Sequence, residues 1–114
     1  MTHDALKPVD FHVLLALAEE PLHGYALVRR IEAESEGSIR VLPGNLYAIL
    51  RRLESHGLLR PAEGRSDEAD KRRRYFALTD QGAGALAEET ARLERLVQAA
   101  RSRRLVGREE GTRR

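Results

Sequence analysis

Four consecutive cations, Lys71 to Arg74, follow three acidic residues in the segment DEADKRRRYFALT (67–79) and directly precede two aromatic residues. Such side chains could bind the phosphates of a polyanion, because Arg and Lys donate charge-assisted hydrogen bonds to phosphate oxygens. A run of charges is more often simply solvated surface, since charged side chains are mostly exposed. The motif alone leaves both interpretations open, and its position in the fold has to distinguish them.

The sequence shows no arrangement of side chains typical of catalysis or metal binding. The chain has no Cys, which excludes thiolate zinc sites. Metal-ligand spacing is lacking among its histidines, which are His3, His12, His23 and His56. Ser/His/Asp sets, paired carboxylates and Gly-rich nucleotide-binding loops are not evident either. We therefore expect a protein that is not an enzyme and that holds no metal or other cofactor.

The composition indicates one soluble domain of 114 residues with an uneven distribution of charge. No apolar run approaches the roughly 18 to 20 residues of a membrane span, and no secretory leader is evident. We therefore expect a cytoplasmic protein without membrane contact. The net charge is +2, but residues 1–39 carry −4, whereas residues 40–75 carry +4 and residues 92–114 carry +5. Basic segments of this kind suit a surface directed at a polyanion.

Apolar residues recur at helical spacing in several segments. In the best-bounded one, Leu46, Ile49, Leu50 and Leu53 lie on one stripe, and Gly57 stands where a glycine would end the helix. Two short extended segments around a polar loop then predict a β-hairpin. The expected elements are helices at 9–19, 23–35 and 44–56, strands at 58–62 and 72–78, and a long helix at 80–105.

The long C-terminal helix carries a heptad-like seam. Its members are spaced alternately three and four residues apart: Ala83, Leu86, Thr90, Leu93, Val97 and Ala100. A helix of roughly 26 residues is about 39 Å long, so its end should overhang a compact domain of this size. We expect a second copy to cover the seam, with Phe11, Leu86, Leu93, Val97 and Ala100 in the dimer interface. The alternative is that the seam packs on the first helix of its own chain.

The order of the elements predicts a mainly α fold with a small β-hairpin. Three short helices, a two-stranded hairpin and a long helix correspond to a winged helix-turn-helix followed by a dimerisation helix. The expected units are a DNA-binding winged helix-turn-helix at 1–79, the dimerisation helix at 80–106, and a basic tail without stable structure at 107–114.

Three motifs resemble the PadR family of transcriptional regulators, named after the repressor of phenolic acid decarboxylase. They are PLHGYALVRRIE (21–32), LPGNLYAILRRLESHGLL (42–59) and RRRYFALTDQG (72–82). One departure is Asn45, where many members have Ser or Thr. The short C-terminal region is similar to the compact branch of the family, which has a single dimerisation helix. The resemblance implies a homodimeric, sequence-specific DNA-binding regulator of the repressor type.

Helix-turn-helix proteins present the first residues of their second helix to base edges in the major groove. Here these residues are Gly44, Asn45, Tyr47 and Ala48, with Arg51 and Arg52 one turn further along. Asn can pair with adenine and Arg with guanine, each pair contributing about 1–3 kcal/mol of discrimination. Asn45 could equally cap the helix, and Tyr47 could bind a phosphate or pack against the wing. Both arginines are expected opposite the core, where they contact DNA or remain solvated.

The wing and helix 2 supply the other predicted contacts. Three cations lie near the tip of the wing: Lys71, Arg72 and Arg73. We expect them to bind phosphates, which positions a protein on DNA without reading its sequence. Arg74 is also a predicted contact, although strand alternation turns it toward helix 3, on the side of Phe76 and Leu78. His23 and Tyr25 begin helix 2, and for His23 a structural hydrogen bond is favoured over a phosphate contact.

The resemblance also implies a small aromatic or lipophilic effector at or near the dimer interface. The chain has no Trp and its long helix has no aromatic residue, so a pocket of stacked aromatic side chains is not expected. A two-fold dimer would bind a pseudo-palindromic operator with half-sites about 34 Å apart or a multiple of that. The alternative function is a winged-helix protein-interaction module that does not bind DNA.

Overall fold

A computed structural model describes residues 6–63 and 74–103 of the chain. Within these residues it has four helices and a three-stranded antiparallel sheet, which confirms the predicted fold class. The elements are α1 (Pro8–Leu17), β1 (Leu22–His23), α2 (Gly24–Glu34), α3 (Pro43–Ser55), β2 (Leu59–Ala62), β3 (Tyr75–Leu78) and α4 (Asp80–Ser102). The predicted helices are all present; α4 is described to Ser102, and residues 104 and 105, to which the prediction extended it, lie outside the described residues.

Helices α1, α2 and α3 contribute most of the core. Pro8 is the first residue of α1, where its missing N–H costs no hydrogen bond. The most deeply buried side chains come from these three helices and include Val13, Leu14, Leu27, Ile31, Leu46, Leu50 and Leu53. Burying each large apolar side chain contributes on the order of 1.5–3 kcal/mol. The apolar stripes therefore determine which face of each helix is left for other contacts.

Helix α3 has well-defined ends. It begins at Pro43, one residue earlier than predicted. At the other end Gly57 has a φ of +81°, a left-handed conformation that glycine adopts without a Cβ clash. The N–H groups of Gly57 and Leu58 donate to the carbonyls of Glu54 and Leu53 at 2.9 and 3.0 Å, which is the Schellman motif. The predicted stop at Gly57 is confirmed, and the chain passes from it directly into β2.

Strand β3 lies between β1 and β2 and is antiparallel to both. The β2–β3 pair is the predicted hairpin, in a register that places Leu59 opposite Leu78. Strand β1, which pairs Leu22 with Phe76, was not predicted, because two residues are too few to show a period-two alternation. It ties the entrance of α2 to the hairpin.

Phe76 and Leu78 lie on the core side, as the alternation predicts, but the inward orientation expected for Arg74 is wrong. Tyr75, Phe76 and Ala77 are all buried, so the strand is covered on both faces in this region. The second face is covered because the ring of His23 packs edge-on against Tyr75, with 5.2 Å between the ring centroids. Arg74 directly precedes the strand and is exposed. Its side chain therefore does not turn inward toward α3.

Helix α4 is anchored by its first turn at the base of the hairpin. Thr79 is its N-cap, as predicted: Oγ1 accepts from the N–H of Gly82 at 2.9 Å and donates to the carbonyl of Gly57 at 2.6 Å. A Cβ at Gly82 would lie 2.1 Å from the carbonyl oxygen of Leu58, so only glycine allows this approach. With 23 residues, α4 is about 35 Å long. Residues 94–98 are all exposed, so its second half extends past the core.

Candidate nucleic-acid interface

The first two turns of α3 and the residue before them form an exposed surface. Its exposed residues are Leu42, Pro43, Gly44, Asn45, Tyr47, Ala48 and Arg51. The structure thus brings all the predicted recognition-helix residues together except Arg52. Leu42 was not predicted, and its 69% exposure has no signal in the sequence, where it looks like an ordinary core leucine. The free N–H groups and positive dipole end of the helix also lie here, and they favour anions.

Asn45 does not cap α3. The N-cap is Leu42, whose apolar side chain accepts no hydrogen bond. Pro43 starts the helix because its fixed φ suits the first helical position, which leaves Asn45 as the third residue. The capping alternative is therefore wrong. The Asn45 amide is exposed and makes no hydrogen bond to any residue that the structure describes.

Tyr47 packs against the start of α2. A Cβ on Gly24 would lie 2.8 Å from the Tyr47 hydroxyl oxygen, so the phenol lies directly over that backbone. Tyr47 is still 38% exposed. By contrast, a Cβ on Gly44 would meet no atom within 4 Å. Because Gly44 also lacks a positive φ, neither packing nor a turn requires a glycine at that position.

The expectation that Arg52 lies opposite the core is wrong. Its Nη1 and Nη2 donate to Oδ2 and Oδ1 of Asp10 in α1, at 3.1 and 3.0 Å. These hydrogen bonds raise the pKa of Arg52 above its ordinary value. One residue adds about 100° of rotation around a helix, which carries Arg52 toward α1 while Arg51 stays exposed. Asp10 was missed because an acid in the first turn of a helix already suits the helix dipole.

His23 caps α2, which confirms the favoured structural role. Its Nδ1 accepts from the N–H of Ala26 at 3.2 Å, and its ring stacks with that of Tyr25, with centroids 6.4 Å apart. Tyr25 is 65% exposed. The guanidinium of Arg29 lies 5.6 Å from the centroid of the Tyr25 ring, within cation–π range. The start of α2 therefore exposes an aromatic residue and a cation, of which only Tyr25 was predicted.

Part of the predicted wing surface lies outside the described residues, namely Lys71, Arg72 and Arg73. In the parts of the hairpin that the structure describes, the exposed cations are Arg60 on β2 and Arg74 before β3. Arg60 was not predicted, because an isolated arginine in a short strand has no pattern that distinguishes it. The phosphate contacts of the wing remain predictions.

An open groove of about 370 Å³ lies between α1 and α4. Its lining residues are Phe11, Thr90, Leu93, Glu94, Val97 and Gln98. The groove thus brings together three of the predicted interface residues. Leu86 instead packs against the core of its own chain, as the alternative interpretation of the seam expects. Leu96, which the prediction omitted, is 52% exposed on the free half of α4.

Glu89 is a buried carboxylate on the inner side of α4. It accepts hydrogen bonds from Arg92, one turn further along the helix, and from the N–H of Leu6 at 3.4 Å. The bond from Arg92 contributes most, followed by the one from Leu6, to lowering the pKa of Glu89 below its usual range. The network fixes the chain that enters α1 against α4.

Three helices followed by an antiparallel hairpin define the class of the protein, a winged helix-turn-helix, in which a helix such as α3 is presented to a DNA groove. Among residues 6–63 and 74–103, no cluster of three His, Asp or Glu side chains could hold a metal ion. No helix in those ranges is long and apolar enough to cross a bilayer. The chain belongs to the PadR family, because the profile of the transcriptional regulator PadR-like family matches residues 13–88.

Curated relatives agree with this assignment. Transcriptional regulator Rv3488 of Mycobacterium tuberculosis is 37% identical over 92 residues, which cover 77% of this chain and 78% of that protein. A 37.1 kDa protein in transposon TN4556 of Streptomyces fradiae is 44% identical over 84 residues, or 74% of this chain. The match spans only 22% of the length of the Streptomyces protein.

Solved structures share the fold. A PadR-like transcriptional regulator from Bacillus cereus superposes with a TM-score of 0.72 at 18% identity, covering 85% of this chain and 91% of that one. The transcriptional repressor CouR, bound to a 23-mer DNA duplex, superposes with a TM-score of 0.65 at 28% identity, covering 92% and 66%. The predicted family and the winged-helix architecture are therefore confirmed.

Proposed function

We propose that the chain is a homodimeric repressor that inserts α3 into the major groove of a pseudo-palindromic operator in the cytoplasm, without catalytic activity. The observation that carries the proposal is the exposed surface at the start of α3. Asn45, Ala48 and Arg51 follow one another at about one-turn spacing on the exposed side of a helix whose opposite stripe is anchored in the core. Amide, methyl and guanidinium groups are the groups that read adenine, thymine and guanine edges.

Neighbouring elements supply groups suited to the DNA backbone. Tyr25 and Arg29 are exposed on α2, and Arg60 and Arg74 are exposed on the hairpin. In this proposal they bind phosphates and set the position of α3, together with the wing cations predicted from the sequence. Base reading is assigned to α3 alone.

The salt dependence of binding to a random-sequence duplex tests whether the chain binds DNA. With Z phosphate contacts, log K should fall against log salt with a slope near −0.9Z. Arg74→Ala should make the slope shallower by about 0.9, whereas Arg95→Ala, which removes an exposed arginine of α4, should leave it unchanged. A flat line for the wild type would overturn the proposal and favour the protein-interaction module.

Base reading is tested by Asn45→Ala. Footprinting of the region upstream of the gene supplies the operator, and competition with single-base operator variants measures the preference. We expect a loss of about 1–3 kcal/mol of discrimination at one position of each half-site. Because Asn45 does not cap α3, the thermal midpoint should stay close to that of the wild type. An unchanged base preference would refute the assignment of Asn45.

The dimer part of the proposal rests on the free half of α4. Leu96 and Val97 are 52% and 45% exposed, and Val97 continues into the groove that Phe11 and Leu93 line. A two-fold related copy would cover both seams at once, which is the simplest closed arrangement. A small aromatic or lipophilic effector entering this groove would meet the same apolar residues and so act on the dimer.

Charged substitutions on the seam test the dimer. Leu93→Glu combined with Val97→Glu should give monomers by light scattering, with weakened operator affinity, because burying two carboxylates in an apolar interface is costly. Ala91→Glu is the matched control, since residue 91 is exposed about 160° away from residue 93 around the helix. A double variant that remains dimeric would show that the interface lies elsewhere.

A further inference from the structure

A two-pronged ion pair joins the first turn of α1 to the last turn of α3. The two carboxylate oxygens of Asp10 each accept a hydrogen bond from Arg52, at 3.0 and 3.1 Å, and this geometry constrains direction as well as distance. The Asp10 side chain is only 5% exposed, whereas that of Arg52 is 38% exposed. Asp10 is therefore a buried charge that is paired with Arg52, and losing that partner is costly.

The pair connects two helices whose main packing partners lie elsewhere. Helix α1 packs chiefly on α2 and α4, and α3 packs chiefly on α2 and β2. The residue after Asp10 is Phe11, which lines the groove between α1 and α4. The residue before Arg52 is Arg51, which is exposed on the proposed reading surface. The ion pair therefore joins the residue next to Phe11 of the proposed dimer groove to the residue next to Arg51 of the proposed DNA surface.

We propose that Asp10 and Arg52 are positioning residues that set the orientation of α3 relative to α1, and that Arg52 does not contact DNA. This inference rests on the proposed reading of DNA by α3. Asn45 lies seven residues from Arg52, or about 10 Å along the helix, so a small tilt at Arg52 displaces the reading end. Hydrogen bonds to bases weaken outside a narrow distance range, whereas attraction to phosphate depends less on orientation. Loss of the pair should therefore reduce sequence preference first.

The variant Arg52→Lys separates positioning from phosphate binding. Lysine keeps the charge and can bind phosphate, but it cannot form the two-pronged pair with Asp10. Positioning predicts that the preference for operator over random duplex falls about fivefold or more, the lower end of coupling between sites. The salt slope on random duplex should stay unchanged. A wild-type preference in Arg52→Lys would overturn the proposal, as would Arg52→Gln making the slope shallower by about 0.9.

Asp10→Asn supplies a second, independent arm, because a residue only 4% exposed cannot itself touch DNA. It should lower the operator preference by a factor similar to that of Arg52→Lys. The double variant should lose little more than either single variant, since both changes remove the same interaction. Full additivity of the two losses would contradict the shared role. Light scattering should show that all these variants remain dimers.

Circular dichroism establishes that each variant is folded at the assay temperature. If Asp10→Asn does not fold, Arg52→Lys and Arg52→Gln still decide the question. A wild-type chain without operator preference would refute the proposed function itself. A wild type that prefers its operator, matched by an Arg52→Lys variant with the same preference, would refute the positioning role alone.

Discussion

Replacing Gly82 with Ala tests whether α4 is held against the hairpin by a contact that only glycine permits. An alanine Cβ would lie 2.1 Å from the carbonyl oxygen of Leu58 and 2.9 Å from Cδ1 of Leu78. The oxygen belongs to backbone and also accepts the N–H of Thr79 at 3.2 Å. The carbonyl oxygen of Leu58 therefore cannot move away without disturbing the junction between the hairpin and α4.

Gly84 is the matched control in the same helix, because a Cβ there would meet no atom within 4 Å. Replacing glycine with alanine inside a helix stabilises by about 0.8–1 kcal/mol, and Gly84→Ala should show this gain in full. At Gly82 the same gain is opposed by overpacking, which costs about 1–3 kcal/mol. The 2.1 Å approach lies well below 3.0 Å, a distance under which real Cβ contacts essentially never occur. The upper end of the overpacking cost therefore applies. Gly82→Ala should then be less stable than the wild type by about 2 kcal/mol.

Urea unfolding followed by the helical circular dichroism signal measures both changes. Protein concentration must be held constant, because the stability of the proposed dimer would depend on it. The two midpoints should move in opposite directions from the wild type, upward for Gly84→Ala and downward for Gly82→Ala. Equal stabilisation of both variants would refute the close approach of α4 to Leu58, and with it a rigid connection between α4 and the hairpin.

Two further changes probe the anchoring of α4. Thr79→Ala removes the N-cap and the hydrogen bond to Gly57, so the free energy of unfolding should fall by about 1–2 kcal/mol. Thr79→Ser should stay near the wild type. A Thr79→Ala variant whose free energy of unfolding equals that of the wild type would show that the cap is dispensable. The pKa of Glu89 is lowered in the folded state, so its stabilisation is present above the unfolded pKa of about 4.3 and is lost as the pH falls through the lower folded-state pKa. Glu89→Gln should therefore have a lower thermal midpoint than the wild type at pH 7, with a difference that shrinks on acidification; a difference independent of pH would contradict the ion pair with Arg92.

Features that depend on neighbours in the sequence were predictable. Pro8 at the start of α1, Gly57 after α3 and Thr79 before α4 each act on backbone groups within a few residues, so their types and spacing carry the information. Strand β1 could not be predicted in this way, because its two residues form a strand only through their pairing with β3.

The seam of α4 shows where periodicity stops being informative. Leu86 and Val97 both belong to the seam defined by the spacing of three and four residues, yet Leu86 packs on the core while Val97 is 45% exposed. The spacing identifies the apolar side of the helix, but the point at which the core ends depends on where α1 ends in space. Leu96 escaped the prediction because it lies beside the seam and becomes exposed only where the helix extends past the core.

The adjacent residues Arg51 and Arg52 show the same limit of sequence periodicity at the proposed DNA surface. The sequence assigns them one role, because both lie on the polar side of the apolar stripe. The distinction comes from Asp10, which is 42 residues away from Arg52 and whose position no local pattern reports. Arg52 needs the planar guanidinium to engage both oxygens of a buried carboxylate, whereas Arg51 needs it only if it reads a guanine edge. A lysine at position 52 should therefore disturb the orientation of α3 whatever the operator sequence, while a lysine at position 51 should matter only at the base pair that Arg51 contacts.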